Sequence, residues 1–190
     1  MRAYKGFNSK LQATMGKGIF QFEPGKTYEE EECKCANTGF HCAENPLCAL
    51  GYYSSMDSRF FIVNAEGDIN QDGYESRISC TKLTLEKEIS RIQLATHACL
   101  YIQKYPDRDP ENKRYVMNQK GRCCTEGDFI IVRGKSPQAA GTRGTWLFLL
   151  KEAEGTKEIE GIYPVFIDGE EYLENRWYGF EGGVVCEKKN

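Results

Sequence analysis

The chain has 190 residues, 40% hydrophobic, 12% aromatic and 28% charged, with 25 Lys and Arg against 28 Asp and Glu for a net charge of -3. So aromatic and nearly neutral a chain can bury enough apolar surface to offset its ordering entropy, which argues against a disordered or polyelectrolyte chain. The length fits one compact domain or two small ones, and no window approaches the run of about 18 apolar residues that a membrane span needs.

Taken in chain order, Met1-Arg2-Ala3-Tyr4-Lys5-Gly6 lacks the apolar run of a signal peptide, so a cytoplasmic protein is expected. Ile19–Phe22 and Arg59–Val63 are short, apolar and β-favouring, and they end at Pro24-Gly25 and Gly67-Asp68, so both are predicted strands. Asn45-Pro46 places an N-cap before a proline at the first helical position and predicts a short helix from Pro46. Leu85, Ile89, Ile92, Cys99 and Ile102 recur at helical spacing, and Thr84, Glu86 and Glu88 supply a cap and an acidic first turn. A long amphipathic helix ending before Pro106 is therefore predicted.

Pro106 and Pro110 lie in a charged stretch and mark a boundary. Beyond it, runs at 129–132, 145–150, 161–167, 177–180 and 184–185 are punctuated by Gly134, Gly155, Asp168-Gly169 and Gly182-Gly183, the pattern of an antiparallel meander or small barrel. Pro164 fits an edge strand. The expectation is an α+β fold: an N-terminal mixed α/β module at 1–105 containing the long amphipathic helix, a polar linker at 106–122, and an antiparallel β-rich C-terminal module at 123–190.

Nine cysteines are the unusual feature of the composition. An odd number cannot all pair within one chain, and in a reducing compartment they are expected as free thiols. Cys33, Cys35, His41, Cys42 and Cys48 form the densest cluster of zinc-type ligands. Their spacing lacks paired Cys-x-x-Cys knuckles, and adjacent His41 and Cys42 point apart on a strand. Cysteine catalysis needs a histidine beside the thiolate, and only His41 and His97 are available. No phosphate loop, dinucleotide fingerprint or serine elbow occurs. No catalytic residue, metal or cofactor is assigned.

Charge is unevenly spread. Residues 113–143 carry seven basic side chains against two acidic ones. Within that stripe Lys113, Arg114, Lys120, Arg122 and Arg143 are candidates for contacting nucleic-acid phosphates. Glu29, Glu30, Glu31 and Glu32 form an acidic run of the kind that can mimic a phosphate backbone before a basic channel.

Several motifs together resemble a family of unknown function from phages and prophages of Firmicutes. They are Tyr4-Lys5-Gly6-Phe7, Gly18-Ile19-Phe20-Gln21-Phe22, Gly39-Phe40-His41-Cys42-Ala43-Glu44-Asn45-Pro46-Leu47, Tyr52-Tyr53, Asp168-Gly169-Glu170 and Asn175-Arg176-Trp177-Tyr178. The resemblance implies a small cytoplasmic counter-defence protein of a bacterial host, an anti-CRISPR inhibitor that binds an RNA-guided type II effector nuclease or its guide or DNA complex. Glu29 to Glu32, Arg133, Lys135, Trp177 and Tyr178 are then candidate partner contacts. The oligomeric state stays open, a homodimer included. A rival resemblance is to ADP-ribosyltransferase-like folds, in which His41 would stack on the nicotinamide of NAD. There the family-defining residue of the first strand is replaced by Lys5. A third reading is a phage structural or nucleic-acid-binding module.

Overall fold

The computed structural model describes residues 1–16, 18–73, 76–110 and 112–188. Two compact units divide the chain, Met1–Leu94 and Ala95–Asn190.

The first unit contains β1 (Arg2–Phe7), β2 (Gln12–Ala13), β3 (Phe20–Gln21), β4 (Thr27–Glu29), β5 (Phe40–Ala43), α1 (Pro46–Tyr52), β6 (Arg59–Asn70) and β7 (Arg77–Ile89). Its main sheet runs β4-β7-β5-β1-β6, and β6 also pairs β7, so four of the strands close on themselves. Alternation selects the inward face: Ala3 and Phe7 from β1, Phe40 and Cys42 from β5, Phe61, Val63 and Ala65 from β6, and Ile78, Cys80, Leu83 and Leu85 from β7 form one core. Phe22, which follows β3, completes it with ring centroids 5.1 Å from Phe7 and 4.9 Å from Tyr28. Asn45 caps α1 as its sequence predicts, its side-chain oxygen accepting from the Leu47 amide at 3.0 Å ahead of Pro46. β6 runs through the predicted turn at Gly67, where φ is +71 and a Cβ would lie 2.2 Å from Thr81 Oγ1. Only glycine fits this bulge between Glu66 and Ile69.

The expected α+β fold with a long amphipathic helix is overturned: strand accounts for 48% of the chain and helix for 11%, in two short helices. Residues 83–89 read Leu-Thr-Leu-Glu-Lys-Glu-Ile, a two-residue alternation as well as a helical one. The strand reading wins because β6 pairs along it, Val63 opposite Leu85 and Phe60 opposite Ile89. The second helix, α2 (Arg91–Lys104), starts only after Ser90. Ser90 Oγ accepts from the Gln93 amide at 3.1 Å while Gln93 Oε1 accepts from the Ser90 amide at 2.8 Å, a reciprocal capping box. Among the described residues no helix is long and apolar enough to cross a membrane.

The second unit contains β8 (Val116–Cys123), β9 (Phe129–Gly141), β10 (Trp146–Glu152), β11 (Ile159–Phe166), β12 (Tyr178–Glu181) and β13 (Val184–Glu187). Residues 116–122 of the stretch read as a linker lie in β8, and Glu111 of that stretch falls outside the described residues. The antiparallel expectation needs a second correction, because β8 and β10 both pair β9 in parallel, with Val116 opposite Ile131 and Trp146 opposite Phe129. Successive segments therefore stack like the coils of a short solenoid. They turn a corner together. Gln119 at φ 63 lies over Gly134 at φ 152, and a Cβ on Gly134 would sit 2.5 Å from the Gln119 carboxamide carbon. β11 closes one edge, and Pro164 on it needs no ladder donor. Ile130, Val132, Ala139, Leu147, Leu149, Val165, Ile167 and Tyr178 form the core.

Candidate functional site

Alternation on β8 buries Gly121 and Cys123 and turns Lys120 and Arg122 outward, two residues apart on one face. Trp177, half-buried just before β12, lies beside them. Lys120 Nζ is 4.0 Å from its ring centroid and the Arg122 guanidinium carbon 5.3 Å. Arg122 Nη1 also donates to Asn175 Oδ1 at 3.0 Å. Asn175 adopts φ 61 and its amide donates to Gly141 O at 2.8 Å, which fixes the approach to Trp177 alongside β9. Beyond the ring, the Lys188 amide donates to Trp177 O at 2.7 Å. The exposed Arg176 pairs with Glu187 at 3.5 Å.

The turn after β9 brings Arg143 to the same end of the unit: the Thr142 amide donates to Cys123 O at 3.1 Å, and the Arg143 side chain lies 3.4 Å from the Cβ position of Gly169. Lys113 and Arg114 precede β8 and belong to its opposite end, where the Arg114 guanidinium sits 5.5 Å from the Tyr115 ring. The fold thus joins Lys120, Arg122 and Trp177, and separates them from Lys113 and Arg114.

The other candidate contacts have structural partners. Arg133 is 5% exposed; its Nε pairs with Glu152 at 2.6 Å and its Nη2 donates to Lys157 O at 3.0 Å. Tyr178 is buried, and its hydroxyl accepts from the Leu173 amide at 2.6 Å. Lys135 pairs with Glu154 at the surface. Glu29 pairs with Lys82 at 2.9 Å, and Glu30 Oε2 accepts from the Gly39 amide at 3.1 Å. Glu31 and Glu32 are exposed.

His41 is half-buried on β5, and its Nε2 accepts the Ala36 amide at 3.0 Å, holding the turn that follows Cys35. Burial, with the nearby Lys5 charge, lowers its pKa below the ordinary imidazole value and favours the neutral acceptor form that this bond needs. Of the nine cysteines, Cys124 is exposed, Cys33 and Cys186 are half-buried and the other six are buried. Among the described residues no group of three or more His, Cys, Asp or Glu side chains is arranged to hold a metal ion.

Two features escaped sequence reasoning. Asn175 and Arg176 belong to the Trp177 cluster, and the Asn-Arg-Trp run was a visible signal. Lys5 is a buried amine at 9% exposure, with Nζ donating to His41 O at 2.5 Å. Its place between Ala3 and Phe7 on an alternating strand was the available clue.

The model of a family described as a domain of unknown function (DUF7666) matches residues 1–98. No curated protein and no solved structure matches the chain.

Proposed function

We propose a function from the premise that the chain belongs to the DUF7666 family of domains of unknown function: it is a phage-encoded counter-defence protein that binds an RNA-guided type II effector nuclease and blocks DNA cleavage. The contact is made to the guide or DNA strand of the effector complex, through Lys120, Arg122 and Trp177.

The observation that carries this reading is the exposed cation–aromatic cluster. Lysine and arginine neutralise phosphates without regard to sequence. An aromatic face beside them stacks on bases, worth about 1–3 kcal/mol per base in single-strand binders. The same residue types concentrate binding energy in protein interfaces, so one cluster can serve a ribonucleoprotein surface. The acidic run supports phosphate mimicry less well, because Glu29 and Glu30 are engaged within their own unit.

The test is a cleavage assay with a purified type II effector, guide and target DNA, titrated with the protein. Inhibition, with the protein co-eluting with the loaded effector, is expected. Unchanged cleavage at large molar excess sinks the proposal. Retention of single-stranded oligonucleotide without any effector would instead indicate a general nucleic-acid-binding module.

A further inference from the structure

β8 stands at the edge of its sheet: among the described residues β9 is the one strand that pairs with it. Parallel pairing sends the backbone groups of alternate residues to one neighbour and leaves those between them facing the other side. The Ile131 amide donates to Tyr115 O at 2.8 Å and the Thr142 amide to Cys123 O at 3.1 Å, so Tyr115 and Cys123 face β9, with Met117 and Gly121 in step. Asn118, Lys120 and Arg122 therefore turn their amides and carbonyls to the open side, and all three residues are exposed. On the opposite edge, Pro164 blunts β11. β8 contains no proline.

The charge of this edge selects its occupant. Lys120 and Arg122 lie on it, and residues 112–125 contain no Asp or Glu. Such an edge deters pairing with its own copy, because like charges would crowd across the strands, and it favours a segment that brings carboxylates. The corner adds a second requirement. Gln119 turns with φ 63, and β9 follows it by placing Gly134 at φ 152, so a strand that tracks the whole edge needs glycine at the matching position.

We propose that the open edge of β8 is a docking site for an extended acidic segment of a partner protein, which pairs backbone to backbone with Asn118, Lys120 and Arg122 and sets carboxylates opposite the two cations. The Trp177 ring, whose centroid lies 4.0 Å from Lys120 Nζ, flanks the face on which those carboxylates fall. In this mode main-chain bonds supply affinity and alternate side chains supply selectivity. Carboxylates and phosphates compete for the same cations, so a docked segment excludes nucleic acid from the cluster; the docking itself requires no nucleic acid.

The test is titration of the intact protein, followed by amide NMR, with a short capped peptide of alternating glutamate and valine and a central glycine. Expected are slowed hydrogen exchange at the Asn118, Lys120 and Arg122 amides, unchanged exchange at Met117 and Gly121, which already face β9, and binding that weakens as salt rises. N-methylating the peptide amides that meet β8 removes donors but keeps the charge, and should lower affinity about tenfold or more. Lys120→Glu combined with Arg122→Glu should reject this peptide and accept the one with lysine in place of glutamate, a reversal that a merely unfolded variant would not show. No binding of the glutamate peptide at millimolar concentration, equal binding of its N-methylated form, or binding insensitive to salt each overturns the proposal.

Discussion

The two units place charge differently against their cores. In the first, Lys5 is surrounded by Phe7, Phe22 and two thiols with a single carbonyl partner. In the second, the buried Arg133 is matched by Glu152 and the Lys157 carbonyl, while Lys120 and Arg122 flank Trp177 where solvent reaches them. A paired buried cation is a fixed structural part. A buried cation without a carboxylate bears its desolvation alone, and an exposed cation–aromatic cluster is a surface open to a ligand. The proposed binding contact draws on the second of these, the cluster of Lys120, Arg122 and Trp177.

The sharpest way to break this contrast is to remove each buried cation. Arg133→Ala leaves Glu152 largely buried without its partner and should destabilise the second unit by about 3–5 kcal/mol, read by chemical unfolding followed with hydrogen exchange. Lys5→Met should not destabilise the first unit at neutral pH. If both substitutions cost the same, the contrast fails. Phe22→Ala opens a cavity under the β2–β3 pair and is expected to cost the first unit about 3–5 kcal/mol, with the second unit's exchange unchanged.

These sites differ in how far the sequence exposes them. The α1 cap was legible because Asn45-Pro46 is a local signal with one outcome. The long helix was misread because 83–89 satisfies two periods at once, and only pairing with β6 chooses between them. Ser90-x-x-Gln93 was the local mark of the true helix start, outweighed by the acidic residues before it. In the second unit β9 to β13 were legible from glycine punctuation, but β8 lay hidden in the stretch read as a linker, and the parallel stacking was not legible. It depends on the shared corner of Gln119 and Gly134, a contact between coils that no single coil announces. Trp177 and the basic stripe were each visible, whereas their meeting required the left-handed turn at Asn175.

Smaller effects refine the picture. Tyr178→Phe removes a buried hydroxyl's bonds to Leu173 and should cost the second unit about 1–3 kcal/mol in urea unfolding. Ser90→Ala should cost about 1 kcal/mol by breaking the capping box, with increased exchange confined to the first turn of α2.

The most direct test of the central claim is the affinity of the protein for a loaded type II effector, measured across a range of salt for the wild type and for Lys120→Ala, Arg122→Ala and Trp177→Ala. The account predicts weaker binding for all three with the fold intact. The salt slope should fall by about 1 for each lost lysine or arginine, and by much less for the lost tryptophan. Equal affinity and equal slope for the wild type and all three variants would contradict it.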